Sequence, residues 1–162
     1  MAVQLKIVAR LIAGGVLGVF GCFDTHAKQT DDADKTIGTH ANLLKRVSEA
    51  VNAFMDDINY LQVGDRVMGM TFSEFGRRIK SNASGGTDHG AAAPVFYFGN
   101  KVKSAVIGNN PTIPTDVTVN DNVPMQHDFR SLYASVLQNW FHLQPADVQQ
   151  VLNGTYPVLG MV

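Results

Sequence analysis

The sequence predicts an α/β domain, a mostly parallel sheet flanked by helices. Three observations predict it. First, a short apolar run, Leu17 to Phe23, is followed by a long stretch of helical spacing, Thr39 to Leu61, and then by a second apolar run, Arg66 to Phe72. Strand, helix, strand is the pattern of a βαβ unit with a parallel strand pair. Second, each apolar run ends in a polar cluster: Asp24-Thr25-His26 after the first, Ser73-Glu74 with Arg77-Arg78 after the second. Open α/β sheets hold their ligand sites just past the carboxyl ends of buried strands. Third, a right-handed crossover would bring those two ends to the same edge of the sheet.

The totals agree with one domain spanning residues 1–162 and long enough to bury a core. A formal net charge of −1 argues against a general nucleic-acid or membrane-surface role. Cys22 is the one cysteine, so no internal disulfide can form and the redox compartment stays open. There is no internal repeat and no low-complexity tract.

The elements follow in order. Lys6 and Arg10 precede an apolar run that ends Val19-Phe20-Gly21-Cys22, superficially like a signal peptide with a lipidation cysteine. Four glycines interrupt the run from Leu11 to Phe23, it is too short to span a bilayer, and Phe20 is bulky for a cleavage site. We therefore expect a helix over Val3–Ile12, a Gly-Gly turn and a buried strand over Leu17–Phe23, with Cys22 as inert core. Residues 30–38 are a polar loop. From Thr39, a plausible N-cap, to Leu61, the residues Leu43, Leu44, Val47, Val51, Phe54, Met55 and Ile58 form one apolar stripe. Gly64-Asp65 should end that segment. Pro94–Gly99 reads as another strand and Val102–Ile107 as a short edge strand. Residues 109–122 are a loop. Asp128 caps a second helix whose apolar face is Phe129, Leu132, Tyr133, Val136, Leu137 and Trp140. Pro145–Leu152 is a short closing helix, stopped at Asn153-Gly154.

Two motifs carry candidate chemistry. Asp88 and His89 stand side by side between glycines, after the flexible stretch Ser81 to Gly86. A carboxylate and an imidazole held together suit a divalent metal such as zinc, manganese or iron. The bland alternative is a glycine-rich surface turn. Asp24 and His26 form a similar pair, able to face one site if they lie in a turn rather than on a strand. Their bland alternative is a turn aspartate beside a solvent-exposed histidine. Glu74 and Arg77 are catalytic candidates: Arg77 could hold an anionic substrate group, or the two could be a structural ion pair. His40 and His127 are further candidates near the site. His142 reads as surface, and Asp128 with Arg130 is explained by the helix start.

The stretches Gly21 to Gln29, Thr71 to Arg78, Gly86-Thr87-Asp88-His89-Gly90 and Asp128 to Tyr133 resemble the C-terminal half of the DUF1501 proteins, a bacterial family placed in the alkaline phosphatase and sulfatase-like superfamily. The resemblance covers nearly the whole chain, with the four motifs in order. It implies an alkaline phosphatase-like sheet with two metal positions at strand ends. It implies a divalent metal, zinc, manganese or calcium, with Asp88-His89 matching an adjacent ligand pair and Asp24 an earlier ligand. His26 sits at an unusual offset, and a late third histidine has only His127 as a counterpart.

The resemblance also implies that the family's N-terminal half, which supplies the nucleophile and the first metal-binding aspartate, is not represented. The segment before Asp24 is shorter than in members of the family, implying a small deletion in the first strand. No twin-arginine leader is present, although the family resemblance implies export to the periplasm. Two functions are then expected. One is the C-terminal part of a metal-dependent hydrolase of phosphate or sulfate esters, inactive alone, with a small anionic ester or the N-terminal half as partner. The other is an accessory or residual domain that folds and self-associates without chemistry. Neither binds nucleic acid or spans a membrane.

Overall fold

The computed structural model of this chain describes residues 24–31, 33, 34 and 36–162. The expected helix over Val3–Ile12 and strand over Leu17–Phe23, Cys22 included, lie outside the described residues.

Helix α1 spans Thr39–Tyr60, 22 residues, and its N-cap position is Gly38 rather than Thr39. Its apolar stripe is buried mainly toward the C-terminal end. Phe54 and Ile58 form a cluster with Val63 and Val67, against which Met55 and Phe98 pack. Toward the N-terminus the stripe opens out, and Leu44 is 44 % exposed. The helix stops earlier than Gly64-Asp65, and by a different device. Gln62 turns left-handed at φ 57. The Val63 N–H then donates to the Ile58 carbonyl at 2.9 Å and the Gln62 N–H to the Asn59 carbonyl at 3.0 Å. This is a Schellman cap built without glycine, with Val63 and Ile58 as its apolar contact.

The expected mostly parallel sheet flanked by helices is not formed by the described residues. They carry two antiparallel two-stranded ribbons instead. In the first, β1 (Gly69–Met70) pairs with β4 (Tyr97–Phe98). In the second, β2 (Gly76–Arg77) pairs with β3 (His89–Gly90), so that Arg77 lies opposite His89. The reason is local. Gly64–Arg66 winds into a 3-10 turn and uses up the start of the apolar run. Gly69 and Met70, which remain of the run, pair with Tyr97–Phe98; no helix lies between these two segments to serve as the crossover that usually joins parallel neighbours, and they pair antiparallel. The Thr71 N–H donates to the Phe96 carbonyl at 2.9 Å, extending that pairing by one bond.

Val102–Ile107 is not a strand. Val106 is 91 % exposed, and of this segment only the Lys103 N–H is tied, at 3.0 Å, to a distant carbonyl, that of Met161.

At the C-terminal end, α2 (Phe129–Ser135) runs into a π-helical turn, Val136–Trp140, and α3 spans Pro145–Leu152. The Asp128 carboxylate accepts from the Arg130 N–H at 2.8 Å as the α2 cap. The Arg130 guanidinium bonds the same carboxylate at 2.9 and 2.6 Å. These bonds pull the Asp128 carboxyl down from its ordinary 3.8 to about 2. Of the expected apolar face, Leu132, Val136, Leu137 and Trp140 are half-buried but Phe129 is 59 % exposed and Tyr133 is exposed, whereas Ser131, Ala134 and Ser135 are buried. Small residues win here because the chain end lies against them. The Ser135 hydroxyl donates to the Ser131 carbonyl at 2.6 Å and accepts from the Leu159 N–H at 2.7 Å. A larger side chain at that position would hold Leu159 away. Asn153, left-handed at φ 51, ends α3 where the sequence predicts.

Among the described residues no helix is long and apolar enough to cross a membrane.

Candidate functional site

The structure brings Asp24, His26, Arg77, Asp88 and His89 to one place: the β2–β3 ribbon sets Arg77 opposite His89, and loop pairing brings Asp24 and His26 beside them. The segment after Asp24 runs beside the glycine-rich loop. The Lys28 N–H donates to the Ser84 carbonyl at 2.9 Å and the Gln29 N–H to the Gly85 carbonyl at 2.9 Å. Gly86 makes this approach possible, since a Cβ there would sit 2.1 Å from the His26 carbonyl oxygen. Below the backbone ladder the Gln29 amide bonds the Thr87 hydroxyl at 3.0 Å and the Thr25 carbonyl at 2.7 Å.

Two groupings result. In the first, Asp24 and Arg77 are a pair: Arg77 donates to Asp24 Oδ2 through Nε at 3.0 Å and also through Nη2. Its Nη1 reaches the Thr87 carbonyl at 2.8 Å. In the second, His26 Nδ1 lies 3.6 Å from Asp88 Oδ1. The His26 and His89 rings have centroids 4.4 Å apart. Phe75 stacks on His89 at 3.5 Å with planes 13° apart, and Arg77 lies 5.3 Å from the centroid of that phenyl ring. Both His26 and Asp88 are half exposed, so the second grouping is open to solvent.

The remaining candidates fall elsewhere. Glu74 is exposed on the bend before β2, so its expected ion pair with Arg77 gives way to the Asp24–Arg77 pair. His40 lies in the first turn of α1, where its backbone N–H donates to the Gln29 carbonyl at 3.1 Å and its Nδ1 is buried without a hydrogen-bond partner. His127 is exposed on the loop before Asp128, and His142 is exposed with a left-handed backbone at φ 58.

Whether these residues suit a divalent metal depends on what each is already doing. Imidazole and carboxylate are the right donors, and His26, Asp88 and His89 stand together. Asp24 does not fit as a ligand here, because its Oδ2 is engaged by a permanently charged guanidinium. Among the described residues no three of His, Cys, Asp and Glu close into a metal-binding group. The donors of the second grouping thus fit part of a coordination sphere.

Sequence reasoning missed Asn82, Gln29, Thr87 and Phe75. None ionises in the ordinary range, so none stands out as a chemical group. The available signal was Asn82 two and four residues before Ser84 and Gly86, a spacing at which an asparagine side chain binds its own loop.

No curated protein and no solved structure matches the chain. The family described as "Protein of unknown function (DUF1501)" matches residues 4–153. That span holds all four motifs and nearly all of the sequence, and the chain belongs to the DUF1501 family.

Proposed function

We propose that this chain carries the metal-ligating portion of a divalent-metal-dependent hydrolase of phosphate or sulfate esters, in the alkaline phosphatase and sulfatase-like superfamily. The observation that carries this reading is the convergence of two separate motifs, which sets His26 Nδ1 3.6 Å from Asp88 Oδ1 with the His89 ring adjacent. His26, Asp88 and His89 are the residues that would hold the metal. A bound zinc or manganese ion supplies a Lewis acid that polarises an ester oxygen and offsets developing negative charge. Arg77 stands next to this grouping and fixes Asp24. Its remaining N–H groups are suited to an anionic ester oxygen. A periplasmic location, which the family resemblance implies, belongs to the same proposal.

Calorimetric titration of Zn²⁺ and Mn²⁺ into the full chain and into an Asp88→Ala/His89→Ala variant tests the reading. Binding by the parent that disappears in the variant supports it. Equal binding by both, or by neither, overturns it.

A second reading, an accessory domain that associates without chemistry, is favoured by one observation. Phe72 and Phe96 flank the short β1–β4 ribbon and are 60 % and 62 % exposed. Exposed aromatic side chains beside an unpaired strand edge favour self-association. Sedimentation across a concentration series separates the readings: concentration-dependent growth without metal binding selects the second.

A further inference from the structure

We propose that Asn82 is the positioning residue of the His26–Asp88 pair, the group that turns two loops into one site. This inference rests on the metal-ligating reading above and deepens it.

The amide's own chemistry comes first. An asparagine side chain has one acceptor oxygen and one NH₂ group with two donors. Here Oδ1 accepts from the Ser84 N–H at 3.0 Å and from the Gly86 N–H at 3.0 Å. Those two bonds to backbone donors decide which way the amide points. With the oxygen turned into its own loop, Nδ2 must face outward. It donates to Asp88 Oδ1 at 2.9 Å and to the His26 carbonyl at 3.1 Å. The backbone of Asn82 closes the same loop, its N–H donating to the Gly86 carbonyl at 2.8 Å and its carbonyl accepting from the Gly85 N–H at 3.3 Å.

One side chain therefore shapes the glycine-rich loop with its oxygen and joins both motifs with its nitrogen. It bonds the carboxylate oxygen that faces His26, which limits how that carboxylate can rotate. It also holds the backbone of His26 itself. Groups that orient a ligating side chain typically change metal affinity by roughly 10- to 100-fold when removed.

The test pairs two variants with a metal-free signal. Serine at this position keeps an oxygen able to accept from a loop N–H but has no NH₂ group. Zn²⁺ titrations of the parent, Asn82→Ser and Asn82→Ala should show both variants binding roughly 10- to 100-fold more weakly. Asn82→Ser binding Zn²⁺ as tightly as the parent would overturn the proposal. The metal-free signal is the Asn82 side-chain NH₂ resonance pair of the ¹⁵N-labelled full chain. It should move in Asp88→Ala and stay in place in Glu74→Ala. A pair that ignores Asp88→Ala overturns the proposal even where the Asn82 variants fail to fold. Movement in a parent that binds no Zn²⁺ supports the positioning role and overturns only the metal reading.

Discussion

Around Phe54 and Ile58 the chain is held by apolar contact. Around Asn82 it is held by hydrogen bonds between loops, with no apolar cluster beneath them among the described residues. The two regions teach different lessons about what a substitution costs. In the first, loss of volume leaves a cavity that the neighbours only partly fill. In the second, the loops must come within hydrogen-bond distance, so added volume does the damage. Most residues of the motif region are exposed or half-buried, so it should open more readily than the apolar cluster.

The largest effect should come from removing volume in the first region. Ile58 is fully buried, and Ile58→Ala should cost about 2–5 kcal/mol. Denaturant unfolding measures this. A loss under about 1 kcal/mol would mean that the cluster is not a tightly packed core. Adding volume in the second region comes next. Gly86→Ala places a methyl group on the His26 carbonyl, and overpacking of this kind costs about 1–3 kcal/mol. Its distinguishing mark is local: the Lys28 and Gln29 amides, bonded to Ser84 and Gly85, should lose protection from hydrogen exchange. Unchanged protection would show that the loops do not need glycine to meet.

The smallest effect sharpens the comparison by asking whether the helical end also leans on charge. The folded Asp128 carboxyl titrates at about 2, below its ordinary 3.8, so its charged form is favoured by folding. The stabilisation is present above the unfolded value and is lost as pH falls from there toward about 2. In Asp128→Asn the new amide would still cap the helix but would not carry the charge. The thermal midpoints of parent and Asp128→Asn should differ between neutral pH and about 4, then converge near 2, with a smaller gap in high salt. A gap that persists to the lowest pH would trace the difference to the cap and not to the ion pair.

How much of this was legible in the sequence depends on the length of the signal. Helix α1 was, because an apolar stripe that recurs at three- and four-residue spacing over many turns fits a helix and does not fit a strand. The strands were not, because two residues of strand carry no periodicity and apolar character says nothing about a partner's direction. On α2 Phe129 and Tyr133 of the expected apolar face stay exposed for a physical reason. Size suggested Phe129 and Tyr133, but close approach of Leu159 favoured Ser131 and Ser135. The members of the candidate site were legible as acid–histidine pairs beside glycines. A sheet edge was expected to join Asp24 and His26 to Ser73 and Glu74, whereas loop pairing joins them to Asp88 and His89. The Asp24–Arg77 pair is hidden in the sequence because its members stand 53 residues apart and no local spacing links them.

The β2–β3 ribbon has a consequence for error as well as for order. Two-residue strands specify their alignment weakly, and a slip of one position would place Arg77 opposite Asp88 and turn His89 to the other face. Arg77 could then pair with Asp88 and release Asp24. The glycines guard against this. A Cβ at Gly76 would meet the Ala92 carbonyl oxygen at 1.7 Å, and one at Gly90 would meet the Arg77 carbonyl carbon at 2.4 Å. A slip would move a residue with a Cβ into the place of Gly90, against the Arg77 backbone, so the ribbon behaves as a keyed joint: the alignment that sets glycine against glycine is favoured, and it leaves Asp88 to His26.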